Sequence, residues 1–203
     1  MMPNPNRTAS KVTESRRHHS VLITLVQVLG LAAIYFVVSK LGLLLAIPPG
    51  YATAVWPASG IALGCLLIYG VHLWPGVLIG SLLVNLSVSY GSSDVAALAN
   101  SLLVPTSIGA GAAMQTVLGV VLIRRYVGFP VLLDGEFDAI KFLLLAGPLA
   151  CLLNATWGST TLLISGTVSP ETYVYTWWVW WVGDTIGVLN LYALGADRTG
   201  TTT

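Results

Sequence analysis

The feature that most constrains this chain is a series of long apolar runs separated by short polar turns. In the first run, residues 21–47, the only charged side chain is that of Lys40. About 20 apolar residues in a helix are enough to cross the hydrocarbon core of a bilayer. Charged residues make up 8% of the chain, whereas a soluble domain carries about 25%. This polar surface is too small to cover a water-soluble globule, so an integral membrane protein is predicted.

Six of the apolar runs are interpreted as spanning helices, which predicts an all-α, polytopic transmembrane bundle. Proline and glycine at residues 48–50 end the first run, because both residues interrupt regular helix. A very short turn at residues 69–75 makes the second and third helices antiparallel neighbours. The six predicted spans are residues 21–47, 56–73, 74–90, 95–123, 142–164 and 172–194.

The distribution of positive charge predicts which side of the membrane each end of the chain occupies. Cytoplasmic loops of membrane proteins carry an excess of Lys and Arg. With six spans and the N-terminus inside, every Lys and Arg except Lys40 falls on the cytoplasmic side. The predicted organisation is a cytoplasmic tail at residues 1–20, a transmembrane domain at residues 21–194 and a second cytoplasmic tail at residues 195–203.

Asp184 is the most informative polar residue, because it lies near the middle of the sixth span. An ionisable group at that depth costs roughly 2.5 kcal/mol or more, so it should face the bundle and be either paired or protonated. A functional site and a structural hydrogen bond from a neutral acid stay equally open. Gln115 and Asn154, in other spans, are expected to form hydrogen bonds between helices.

The tryptophan run Trp177, Trp178, Trp180 and Trp181 has two interpretations. Indole rings favour the membrane interface, which predicts an aromatic belt at the outer face. Consecutive helical positions point in all directions, however, so some rings must face protein. A stacking surface for a small apolar or aromatic ligand therefore stays open.

Pairs of glycines one helical turn apart occur in three spans. Small residues at this spacing let helix backbones approach closely inside a membrane. We interpret the pairs as packing grooves within one chain, and a homodimer stays open. The pairs are Gly60 with Gly64, Gly76 with Gly80, and Gly183 with Gly187.

No catalytic, metal or cofactor site is expected from the sequence. A Gly-x-Ser-x-Gly elbow, a His-Glu-x-x-His motif and a phosphate loop are all missing from the printed chain. Two of the three histidines lie in the N-terminal tail, and the two cysteines match no metal motif. A net charge of +1 provides no basic footprint for nucleic acid.

Two segments resemble the MASE1 family of bacterial membrane-associated sensor domains. The first contains Trp-Pro-Ala-Ser-Gly at residues 56–60, followed by Trp-Pro-Gly at residues 74–76 and Asn85. The second is Trp-Trp-Val-Gly-Asp-Thr-Ile-Gly at residues 180–187. The order and separation of the two segments also match, so the resemblance extends over about residues 21–191.

The resemblance implies an input module of the bacterial inner membrane with no enzymatic activity of its own. Such modules usually precede a cytoplasmic diguanylate cyclase, phosphodiesterase or histidine kinase domain. Family members have more spanning helices, so the short polar end after Leu189 leads us to expect a C-terminally truncated domain. The residues expected to take part in ligand binding or signalling are Asp184, Trp180, Trp181, Trp177, Asn85 and Trp56.

Two other function classes stay open at this stage. The first is a small transporter or channel in which Asp184 binds a cation or a proton. The second is a structural subunit or a non-functional membrane fragment. A sensory module relaying an unknown stimulus to a cytoplasmic output remains the main hypothesis, with the lipid bilayer and that output as the expected partners.

Overall fold

The computed structural model describes residues 5–44, 53, 55–89, 95–128 and 136–199, and within these ranges every regular element is helical. The predicted all-α membrane bundle is confirmed. A 3₁₀ turn, Val71–Leu73, joins α2 to α3, and a π-helical turn, Leu145–Leu149, joins α5 to α6. The helices are α1 Pro5–Leu43, α2 Pro57–Tyr69, α3 Trp74–Ser89, α4 Val95–Tyr126, α5 Glu136–Leu144, α6 Ala150–Ile164 and α7 Pro170–Thr199.

The helices follow the predicted spans, but several extend beyond the apolar runs. Helix α5 begins at Glu136, between the fourth and fifth predicted spans, and α1 already begins at Pro5. Hydropathy marks the part of a helix suited to lipid, whereas the helix itself continues wherever backbone hydrogen bonding continues. The second predicted span is divided at Gly70, whose φ of 115° breaks the helix between α2 and the 3₁₀ turn.

Among the described residues, four helical segments are long and apolar enough to cross a membrane. Helix α2 is apolar but shorter, and α7 is rich in Trp, Tyr and Thr, which count as less hydrophobic than aliphatic residues. Much of the outer surface is apolar, as lipid contact requires; Val26 on α1, for example, is 69% exposed. The four segments are Ser20–Leu43, Val71–Val88, Leu102–Tyr126 and Ala139–Ile164.

Contacts between the helices form a closed ring in the order α1, α3, α4, α6, α7, α2. Helix α2 also contacts α4 across this ring. The centre is filled by side chains from all around the ring, which include Tyr35, Leu63, Leu66, Val77, Val120, Cys151 and Val188. The prediction that the second and third helices are neighbours is therefore wrong, because α1 lies between α2 and α3 in this ring, whereas α2 and α7 are brought together from distant parts of the chain.

The contact between α2 and α7 is a close approach of two backbones. A methyl group built at Gly60 would collide with the carbonyl oxygen of Gly187, and one built at Gly187 would collide with the carbonyl oxygen of Trp56. It would also lie 2.5 Å from Ser59 Oγ. Only a residue without a side chain fits at these two positions, because the obstructing atoms belong largely to backbone.

Gly76 and Gly80 form a similar contact between α3 and α1. A Cβ at Gly76 would lie 2.7 Å from the carbonyl oxygen of Val28, and one at Gly80 would lie 2.7 Å from Tyr35 Cβ. Gly64 and Gly183, the remaining members of the predicted pairs, are buried. The glycines thus lie against neighbouring helices of the same chain.

Replacing Gly187 by Ala should destabilise the bundle by about 1–3 kcal/mol, the usual cost of overpacking. Gly30→Ala is the matched control, because nothing lies within 4 Å of a Cβ at Gly30. Unfolding of both variants in detergent, followed by circular dichroism during heating or denaturant titration, measures the difference. Equal stability of Gly187→Ala and Gly30→Ala would contradict the close approach of α2 and α7.

Candidate functional site

Asp184 lies on α7 inside the bundle, with 1% of its surface exposed. Its carboxyl oxygen Oδ2 accepts a hydrogen bond from Nδ2 of Asn154 on α6, at 3.0 Å. Gln115, on α4, and Trp180, one helical turn before Asp184, also hydrogen-bond to the carboxyl group. One carboxyl group therefore connects three helices, α4, α6 and α7.

The amide groups around Asp184 are oriented with their donors towards it. Asn154 uses its NH₂ group for the carboxyl, while its carbonyl oxygen Oδ1 is buried without a hydrogen-bond partner in the described structure. Oε1 of Gln115 is likewise buried and unpartnered among the described residues. N–H donors around a carboxyl oxygen stabilise it, and they do so most strongly when the group is ionised, since hydrogen bonds to a charged acceptor are stronger than neutral ones.

The other ionisable groups near Asp184 are a phenol and a thiol. Tyr35 on α1 and Cys151 on α6 both lie near the carboxyl group. Within the part of the chain that the structure describes, no Lys or Arg pairs with Asp184. Placing an acidic group in the bilayer interior without a cationic partner costs free energy, so such a residue is rarely there without a role.

The N-terminal end of α2 lies against the turn of α7 that carries Asp184. The backbone N–H of Trp56 donates to the carbonyl oxygen of Gly183 at 3.0 Å. Ser59 Oγ lies 3.0 Å from the backbone oxygen of Asp184 and 2.8 Å from that of Trp56. Pro57 begins α2, a position at which the missing N–H costs nothing. The positive end of the α2 dipole therefore points towards this part of α7.

Two tryptophans of α7 donate their indole N–H groups to neighbouring parts of the chain. Trp181 Nε1 donates to the carbonyl oxygen of Pro148 at 2.8 Å, and Trp177 Nε1 donates to Thr156 Oγ1 at 3.0 Å. The rings of Trp177 and Trp181 are stacked, with centroids 6.1 Å apart and an interplanar angle of 13°. Trp178, by contrast, is 55% exposed on the outer surface.

A π-helical turn lies directly beside this site. It spans Leu145–Leu149 and contains Pro148, a residue that cannot donate a backbone hydrogen bond. A Cβ built at Gly147 would lie 3.4 Å from side-chain atoms of Thr185 and Leu189, which shows how closely the turn contacts α7. Such π turns occur frequently at functional sites.

The structure shows where the residues selected from the sequence lie. Asp184, Trp180 and Trp181 lie on one stretch of α7, and Trp56 reaches it through its backbone while its indole N–H donates to Tyr35 Oη at 3.3 Å. Asn85 on α3 donates to the carbonyl oxygen of Ser81 in its own helix, at 2.8 Å.

Two residues of the site were not selected from the sequence. Tyr35 occurs within an ordinary apolar run, and Ser59 belongs to the Trp-Pro-Ala-Ser-Gly segment but was not assigned a role there. Gln115 and Asn154 are recognisable as polar residues inside spans, but their shared contact with Asp184 follows from the packing of α4, α6 and α7. In the described residues, no three His, Cys, Asp or Glu side chains form a group that could hold a metal ion.

Comparison with models of known protein families finds a match. The model of the MASE1 family matches residues 27–194, a range that runs from α1 to α7 and includes the whole site. The chain belongs to the MASE1 family. MASE1 domains are membrane-associated sensory domains of signalling proteins, so the resemblance seen in the two tryptophan-containing segments is confirmed. No curated protein and no solved structure matches the chain.

The hydrogen bond between Asn154 and Asp184 should be measurable as a coupling free energy. In a double-mutant cycle with Asp184→Ala and Asn154→Ala, we expect a coupling of about 1 kcal/mol, within the range found for polar contacts between membrane helices. Detergent unfolding of the four proteins provides the measurement.

Thr106→Val is the control for this cycle. Thr106 is exposed, and its hydroxyl donates only to the carbonyl oxygen of Leu102 in the same helix among the contacts described. Combined with Asp184→Ala it should be additive within about 0.5 kcal/mol. If the Asn154 and Thr106 cycles gave equal values, Asn154 would not be coupled to Asp184.

Proposed function

We propose that this MASE1 chain is a multi-pass sensory input module of the bacterial inner membrane. It detects a stimulus at the Asp184 site and passes it to a cytoplasmic output of the diguanylate cyclase, phosphodiesterase or histidine kinase type. The chain itself carries no catalysis in this proposal. The observation that carries it is the Asp184 carboxyl group, which is fully buried and shared as an acceptor by α4, α6 and α7.

A shared acceptor supports sensing because it can hold the helices in more than one arrangement. If a ligand or a change of charge alters the hydrogen bonds of Asp184, the contacts of α7 with α4 and α6 change together. A ligand shifts the balance between two arrangements only by its differential affinity for them. The unpartnered oxygens of Gln115 and Asn154 are acceptors that a second arrangement would satisfy.

The π turn offers a route from the site to the remainder of the chain. Trp181 donates a hydrogen bond to the carbonyl oxygen of Pro148 in that turn. Trp180, the preceding residue, hydrogen-bonds to Asp184. A movement of α7 therefore acts on the α5–α6 junction as well as on α7 itself. In the proposed topology both α5 and the end of α7 lie at the cytoplasmic side, where an output would be attached.

The sensory role is tested in a chimera that carries a diguanylate cyclase domain after the last residue of the chain. Asp184→Ala, which removes the shared acceptor, should change cyclic-di-GMP production at least several-fold, because each 1.4 kcal/mol of altered balance is a factor of ten. Asp184→Asn retains an oxygen acceptor but no charge, so comparison of the two separates hydrogen bonding from charge. A cyclic-di-GMP reporter strain measures the output.

Thr106→Val serves again as the control, since its hydroxyl bonds to its own helix on the exposed side of α4. Membrane levels of each chimera are quantified by immunoblotting, so that lost expression is not counted as lost signalling. Unchanged output from normally expressed Asp184→Ala and Asp184→Asn chimeras would remove Asp184 from the mechanism.

The proposed topology is tested by cysteine labelling in a variant whose two native cysteines are replaced by alanine. Thr167→Cys, in the turn before α7, should react with a membrane-impermeant maleimide on intact cells. Tyr126→Cys, at the end of α4, should react only after the cells are permeabilised. Both residues are exposed, so a difference in labelling reports the side of the membrane. The opposite labelling pattern would show that the chain is inserted in the inverted orientation.

A further inference from the structure

A groove of about 710 Å³ lies on the outer face of the bundle. Helix α4 forms its floor, with walls from α3 and its preceding 3₁₀ turn on one side and α6 on the other. Its volume falls within the roughly 300–1,000 Å³ of ordinary small-molecule sites. Every lining side chain is apolar, and those that define its course are Trp74, Leu78, Met114, Leu118, Val121 and Leu153.

One end of the groove is marked by residues typical of the lipid headgroup region. Arg125 follows Val121 by one helical turn, which places it on the same face of α4 just beyond the groove. Its guanidinium group lies 5.9 Å from the ring centroid of Tyr126, which is 54% exposed. Trp74, which lines the groove, is 44% exposed. Exposed Trp and Tyr rings mark the level at which a membrane meets water.

We propose that this groove is a binding site for one anionic phospholipid of the membrane. An acyl chain occupies the apolar groove along α4, and the headgroup phosphate contacts the Arg125 guanidinium. Arg binds phosphate oxygens through several N–H donors arranged in a plane, which favours this contact geometrically. A headgroup with net negative charge is preferred over a zwitterionic one, because the latter brings its own positive charge close to Arg125.

The combination of an apolar groove and a terminal cation favours a lipid over a second protein helix. A helix packed along α4 would gain from the small floor residues Ala110 and Ala113, but it would leave the charge at Arg125 without a specific role. One phospholipid molecule can fill the apolar groove with an acyl chain and contact Arg125 with its phosphate. The inference does not depend on the sensory role of Asp184, since none of the residues that hydrogen-bond to its carboxyl group lines the groove.

The proposal is tested with the purified chain after removal of lipid. Phosphatidylglycerol or phosphatidylcholine with the same acyl chains is added back, and binding is followed by native mass spectrometry and by thermal unfolding. The wild-type chain should bind phosphatidylglycerol more tightly. Arg125→Gln should lower this affinity about five-fold, the equivalent of roughly 1 kcal/mol for one Arg at an anionic surface.

Lys40→Gln is the matched charge control, because Lys40 lies at the opposite end of the bundle and hydrogen-bonds to Ser87. It removes one positive charge from the protein and should leave phosphatidylglycerol binding unchanged. Equal preference for the two headgroups in the wild-type chain, or equal effects of Arg125→Gln and Lys40→Gln, would overturn the assignment of the headgroup site.

Occupation of the groove is tested separately by filling it. Met114→Trp and Val121→Trp enlarge exposed side chains that line the groove and should reduce binding of either lipid. Leu29→Trp, on the exposed face of α1, is the control and should bind lipid normally. If the filled variants fold and retain lipid but lose self-association, a second copy of the chain occupies the groove and the proposal is wrong.

Discussion

The burial of one carboxyl group in the interior of a membrane bundle is the constraint on which the rest of this structure depends. Water is not available there to solvate Asp184, so protein donors must do so. They come from Asn154 on α6, Gln115 on α4 and Trp180 on α7. Three helices, α4, α6 and α7, thereby contribute to the hydrogen bonds of one carboxyl group.

The close contact of α2 with α7 is the second requirement, and it is linked to the first. The N-terminal end of α2 reaches the backbone of Gly183 and Asp184 only because Gly60 and Gly187 have no side chains to keep the helices apart. In lipid, such a close approach is stabilised by dispersion forces and hydrogen bonds, and not by the removal of apolar surface from water. Packing and polar chemistry are thus arranged around the same stretch of α7, next to the π turn that Trp181 contacts.

The sequence predicted the helices well because their determinants are local. Long apolar runs, and the turns that end them, locate α3 and α6 without knowledge of any partner. The family resemblance likewise came from two short segments, and the match over residues 27–194 confirmed it. Gly60 and Gly187 were recognisable as members of small-residue pairs, but not as each other's partners. Gln115 and Asn154 were recognisable as polar residues in spans, but nothing in the sequence indicated that both hydrogen-bond to Asp184.

By itself, the sequence determined that the chain is a helical membrane protein of the MASE1 type, because hydropathy and motif spacing are properties of single segments. Only the tertiary structure decided the ring order of the helices, the meeting of Gly60 with Gly187 and the donors to Asp184. Those outcomes depend on how each helix is rotated about its axis and which neighbour it packs against. Side chains from distant segments set these two variables jointly, and no local pattern in the chain specifies them.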